Sequence, residues 1–259
     1  MIRFAPRECR RGAPRVAITE RIEVHCADDT KVISCASLDI GMGGVCVHVP
    51  DCFQLDAIEA VSLTVGREEL LLSAKGIWQR ERAIAPALVV GIAFTAVDAR
   101  ESGALWKLVN RRAFALAGFL AGSPALSGID FDIAMDIALR TRRRPFQSSE
   151  YAYRQGETDP EDRSIYVVAA GEVELLRDAG EGELLSLGTA SQGEIIGGLP
   201  LIAGIDPIDS AISRESVELL EIDEYAYESL RNEKPVVARH LTCAVVRRLL
   251  CGVETLSGR

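Results

Sequence analysis

The sequence predicts a mainly β protein with helices, arranged as two domains. Short runs of alternating apolar and polar residues fill 15–97 and return over 151–222. Helical spacing separates the two β regions and closes the chain. The 259 residues, 48% apolar and 26% charged, exceed a usual single domain and supply two cores. Aromatics are only 5%, so those cores must be aliphatic. The expected division is 1–115 and 116–259.

Each element follows from local pattern. Arg15–Val24 alternates like a half-buried strand, and Lys31–Leu38 is a second. Gly44–Val49 follows a glycine-rich turn directly. Ala60–Val65, Leu70–Arg80 and Leu88–Thr95 complete about six strands, short enough for a small antiparallel barrel. Asp98 is placed to cap a helix over 100–120. Gly122–Gly128 breaks that pattern. Helical spacing then resumes over Asp130–Arg143, with Phe131, Ala134, Met135 and Ala138 on one side. Arg140, Arg142, Arg143 and Arg144 read as the solvated cationic end of this helix, not as a nucleic-acid patch. Ile165–Leu176 is two strands joined at Gly171, Glu183–Leu187 is another, and Ser210–Ile222 holds the last. Pro235–Cys251 is an amphipathic helix with Val236, His240, Ala244 and Leu250 among its spaced positions.

Charge and cysteine usage narrow the function. Net charge is −9, unevenly spread: residues 1–115 hold 15 Lys and Arg against 14 Asp and Glu, the remainder 14 against 24. An acidic second half argues against a broad DNA- or membrane-binding face there. The seven cysteines, at 9, 26, 35, 46, 52, 243 and 251, include no C-x-x-C pair. With only three histidines, no metal site is expected, and the thiols read as small buried groups in a reducing compartment. No apolar run is long enough to cross a bilayer, and the start lacks the apolar stretch of a signal peptide. The expected location is the cytoplasm. His25, His48 and His240 stand isolated, and no nucleophile, metal-ligand or phosphate-loop constellation is visible. A non-catalytic binding protein without a cofactor is therefore expected.

The chemistry concentrates near the amino terminus. Arg7, Arg11 and Arg15 stand four residues apart, with Arg10 beside the middle one. Arginine's planar fork recognises phosphate and guanine edges and stacks on flat rings. Asp39-Ile-Gly41-Met-Gly-Gly44 follows between two β runs, where glycine permits close approach of a ligand to the backbone.

Residues 7–112 resemble a PilZ domain. The resemblance rests on Arg11-Gly-Ala-Pro-Arg15 preceded by Arg10, on Asp39-Ile-Gly41-Met-Gly-Gly44, on Ala74-Lys-Gly-Ile-Trp78-Gln-Arg80 and on Val90-Gly-Ile-Ala-Phe94. It implies binding of cyclic di-GMP on the barrel surface through Arg10, Arg11, Arg15, Asp39, Gly41 and Gly44. The family motif has serine where this chain has Gly41, which removes one hydroxyl contact, worth on the order of 1 kcal/mol.

Residues 117–251 resemble a cyclic-nucleotide-binding domain, a β-roll (jelly roll) flanked by helices. Phe119–Leu126, Tyr153–Glu157, Ile165–Val173 and Gly193–Gly197 carry the likeness. The family's phosphate cassette departs here, around Gly197, Gly198 and Leu199 and again around Asp209, Ser210 and Ala211. Its ribose-binding glutamate falls at Gly198, and its phosphate-binding arginine at Ile208 or Asp209. Cyclic AMP and cyclic GMP are therefore not expected to bind in the family's way. The roll is expected to act as an interaction or homodimerisation module. No helix-turn-helix segment is visible before Arg259, so sequence-specific DNA binding is not expected.

The resulting expectation is a second-messenger receptor that binds cyclic di-GMP through the first domain and relays to an unidentified protein partner through the second. The alternatives are a dual receptor for cyclic di-GMP and cyclic AMP or GMP, and a scaffold with both pockets degenerate.

Overall fold

A computed structural model describes residues 15–27, 32–50, 54–81, 87–157, 163–180 and 183–257. Packing divides the chain into two compact units between Ala115 and Leu116.

The first unit is a closed antiparallel barrel. Its strands are β2 (Arg21–Cys26), β3 (Val32–Gly41), β4 (Gly44–Pro50), β5 (Ile58–Val65), β6 (Glu68–Glu81) and β7 (Ala87–Ala96). They pair in the order β3-β2-β5-β6-β7-β4, and β4 closes onto β3. A three-residue strand, β1 (Arg15–Ala17), pairs with the end of β3 on the same edge as β2 and prolongs that ladder. The single strand expected over 15–24 is thus two, because the pairing with β3 slips by one residue at Ile18–Glu20 while the chain stays on the same edge of β3. Val16, Ile22, Val24, Ile40, Val45 and Ile92 alternate into the interior and are buried.

The helix expected from Arg100 is α1 (Ala99–Ala121). Asp98 and Glu101 start it with a reciprocal box. Glu101 N donates to Asp98 Oδ1 at 2.7 Å, and Asp98 N donates to Glu101 Oε2 at 2.8 Å.

The second unit is a roll of two four-stranded sheets. One runs β13 (Ile195–Gly197), β10 (Ser164–Ala170), β15 (Val217–Asp223), β8 (Arg142–Phe146). The other runs β12 (Leu184–Ala190), β11 (Val173–Asp178), β14 (Ser210–Ser213), β9 (Tyr151–Tyr153). Phe146, Tyr166, Val168 and Leu219 from the first sheet pack with Tyr153, Val173, Leu175 and Ala211 from the second. Helices α2 (Phe131–Ala138), α3 (Leu199–Ala203), α4 (Glu224–Glu233) and α5 (Pro235–Ser257) flank them.

The helix expected over 130–143 ends at Ala138, and the arginine run is not its cationic end. Arg142, Arg143 and Arg144 lie on β8, where they form ion pairs with Asp223, Glu218 and Glu221 of β15. Three cross-strand pairs hold this segment extended, which local periodicity does not register. In α5 the buried positions are Val237, Ala238, Leu241, Ala244 and Val245, whereas Val236 and Leu250 are exposed. Phe131 is likewise partly exposed at the start of α2.

The expectation of buried thiols holds for Cys26 and Cys46. Cys35 is half-buried, and Cys243 is exposed. Burial pushes the Cys35 thiol up to about 12, so it stays protonated. Among the described residues no helix is long and apolar enough to cross a membrane, and no cluster of three His, Cys, Asp or Glu side chains could hold a metal.

Candidate functional site

The barrel's candidate site is assembled by strand register. β1 sets Arg15 opposite Gly41 and Ala17 opposite Asp39. Gly41 faces Gly44 and Asp39 faces Cys46 across β3–β4. Gly44 then faces Ala93, and Cys46 faces Gly91, across β4–β7. On β6 the partners are Lys75 and Trp78. The intervening Val16, Ile40, Val45 and Ile92 fill the barrel, so these rows lie on its outer face. The result is a floor of Gly41, Gly44 and Ala93 with Arg15 at one end and Lys75 at the other.

Arg15 Nη1 donates to Asp39 Oδ1 at 3.1 Å. Asp39 is fully buried, and its Oδ2 has no hydrogen-bond partner among the described residues. One acceptor of a buried carboxylate is thus paired and the other left over. Arg10 and Arg11 lie outside the described residues. Gly44 answers to a different constraint from the expected ligand approach. A Cβ there would stand 2.2 Å from the Ile92 carbonyl oxygen, so β7 itself requires the glycine. Trp78 belongs to the same face and was not singled out as a site residue from sequence. A Cβ at Gly91 would fall 2.2 Å from Trp78 Nε1, so the indole lies directly over Gly91. Only the register of β6 on β7 reveals that placement.

The roll holds a pocket where the cassette was expected. Gly197, Gly198, Leu199 and Asp209 all line it, with Tyr153, Arg177 and Arg248. Ser210 and Ala211 do not. The Ser210 hydroxyl accepts from Gln155 N at 2.9 Å, and Ala211 is core. Arg214 is paired with Glu174 at 2.6 Å on the surface, outside the pocket.

Backbone and packing fix both glycines. Gly197 and Gly198 have φ of +70° and +88°. A Cβ at Gly198 would also lie 2.8 Å from Ile165 Cγ1 and 3.0 Å from Val245 Cγ2. The position therefore has no room for the family's glutamate. Asp209 and the buried Tyr153 phenol both line the pocket and act on each other electrostatically. Burial raises the Asp209 carboxyl above its ordinary value, against Tyr153 and the charges of Arg248 and Arg177. The phenol of Tyr153 is raised well above its usual range by burial first and by Asp209 second.

Arg248 was not visible as a site residue because it comes from α5, far along the chain from the cassette. Arg248 and Leu249 stand three and four residues beyond Val245, and that spacing is the signal that places all three on the pocket.

Comparison with known proteins agrees with this architecture. A curated relative, the cyclic AMP receptor protein of Thermus thermophilus, is 30% identical over 131 residues. The match takes in 50% of this chain and 59% of that receptor, so the chain spans little more than half its length. Among solved structures, the Thermus thermophilus catabolite activator protein superposes with a TM-score of 0.45 at 26% identity, covering 52% of this chain and 62% of that one. A cyclic nucleotide-binding domain from Methylobacillus flagellatus gives 0.47 at 11% identity, covering 56% and 80%. Two family models match separate stretches, the PilZ domain at residues 9–111 and the cyclic nucleotide-binding domain at 143–234, so this chain joins an amino-terminal PilZ domain to a carboxy-terminal cyclic nucleotide-binding domain.

Proposed function

We propose that this protein is a non-catalytic cytoplasmic receptor for cyclic di-GMP, which binds on the outer face of the barrel and whose binding is relayed to a partner protein through the roll. The observation that carries the reading is the Arg15–Asp39 pair at the edge of the Gly41, Gly44 and Ala93 floor. A dinucleotide with two phosphates and two guanines needs charged forks, an acceptor for guanine N–H groups and an unobstructed backbone surface. Arg15 supplies the fork. Asp39 Oδ2, buried and without a hydrogen-bond partner among the described residues, is the acceptor assigned to a guanine N–H. Arg10 and Arg11 precede the strand and extend the cationic edge in sequence. Gly41, where the family has serine, weakens the contact by one neutral hydrogen bond and leaves the charged ones.

Calorimetric titration of the whole chain with cyclic di-GMP tests this. Arg15→Ala removes a charge-assisted bond of about 1.5–3 kcal/mol, which is at least ten-fold in affinity. A melting scan of the variant checks that the barrel persists. Unchanged affinity in a folded variant rules out this site. No binding by the unmodified chain rules out the receptor reading and favours the scaffold.

A further inference from the structure

We infer that the roll's pocket binds a small organic carboxylate with an apolar body, its anionic group held by Arg248. This does not rest on the amino-terminal site.

The walls set the body of the ligand. Leu175, Leu187, Ile196, Leu199, Pro207 and Val245 line most of the surface. Such a cavity favours an apolar group, and a few convergent polar atoms orient it.

The polar atoms set its charge. Arg177 and Arg248 are the two cations of the lining, and Asp209 is the one carboxylate. Asp209 is already engaged electrostatically with the Tyr153 phenol, which lines the same pocket. Arg248 is held in place by Nη2 donating to the Thr189 carbonyl at 3.3 Å. Its Nε is buried and has no hydrogen-bond partner among the described residues. The Arg248 guanidinium lines the pocket, and an entering carboxylate would give it a charge-assisted partner. Two cations against one engaged carboxylate leave room for a single negative charge.

The same geometry argues against a cyclic mononucleotide in its family pose. Gly198 cannot be replaced by an acceptor side chain without collision, and Asp209 stands where a phosphate would need a cation. The positive charge of this pocket comes instead from α5 and β11.

The test uses the whole chain, hexanoate as probe, and hexan-1-ol and cyclic AMP as controls, read by calorimetry. Hexanoate should bind saturably and at least ten-fold more tightly than hexan-1-ol. Arg248→Met should weaken hexanoate about ten-fold or more and leave hexan-1-ol unchanged. Asp209→Asn, which removes the opposing charge, should strengthen hexanoate several-fold. Hexanoate binding no better than the alcohol, or an affinity that neither variant moves, overturns the inference. So does cyclic AMP that displaces hexanoate and depends on Arg248, which would make this a relocated phosphate site.

Discussion

The barrel and the roll each place a carboxylate beside a glycine turn, yet the two carboxylates are held in different ways. Asp39 is paired with Arg15, a cation delivered by a three-residue strand at the outer face of the barrel. Asp209 lines a pocket with a buried phenol, Tyr153, and with two cations, Arg177 and Arg248. The glycines differ too. Gly44 is required by a backbone carbonyl, which cannot move without shifting a strand. Gly198 is required by a left-handed turn and by two core side chains, Ile165 and Val245, rather than by backbone. Similar residue types in sequence thus serve two purposes. In the barrel they form an ion pair on the outer face of the sheet. In the roll they close one end of a cavity.

The largest expected effect separates the two glycines. Gly44→Ala should destabilise the barrel by about 3 kcal/mol or more, since both partners are paired backbone. Gly198→Ala should cost about 1–3 kcal/mol, from its positive φ and the contacts with Ile165 and Val245. Denaturant titration of each variant measures both. The reverse ranking would show that the β4–β7 contact relaxes easily and that the comparison fails.

The next effect probes the ion pair. Arg15→Ala leaves both Asp39 oxygens buried without a partner among the described residues, at a cost of about 1–2 kcal/mol, discounted because Arg15 is about one-third exposed. Adding Asp39→Asn removes the stranded charge and should recover part of that loss. A double-mutant cycle with no coupling would show that the pair does not hold β1 to the barrel.

The smallest effect concerns Asp209. Its carboxyl is raised in the folded chain, so between the ordinary value of 3.8 and the raised one the folded state binds more protons than the unfolded. Stability contributed by this group is therefore full below 3.8 and is lost as pH rises through the folded value. Asp209→Asn should be equal to or more stable than the parent at pH 7, by up to about 1 kcal/mol, with the advantage fading toward pH 4. Melting temperatures from pH 4 to 8 measure it. An advantage that instead grows toward acid would mean that Arg248 and Arg177 outweigh burial.

Elements defined by local chemistry were legible before the structure. The Asp98–Glu101 box starts a helix where its spacing says it should, and Gly41 and Gly44 bracket a two-residue hairpin. Features made by distant partners were not. Arg142, Arg143 and Arg144 read as a helix end because their acidic partners lie about seventy-five residues or more away. Trp78 enters the barrel's face only through the register of β6 on β7, and Arg248 enters the pocket only because α5 packs over it. The α4 helix was also missed. Asp223 caps it by accepting from Ala226 N at 2.8 Å, immediately after a strand that continues to that residue. Periodicity sees neighbours along the chain, and these sites are built from neighbours across it.

The arginine strand has a consequence for how copies of this chain meet. Among the described strands β8 comes last in its sheet, a place from which strands can pair with another molecule. Here that margin carries three consecutive arginines followed by Pro145, which offers no backbone N–H. Within one molecule the positive row is matched by the acids of β15. Between two molecules, β8 would meet β8, and arginine would meet arginine. The ladder that holds the strand in its own sheet therefore discourages the same strand from seeding a continuous sheet between molecules, during synthesis as well as after folding.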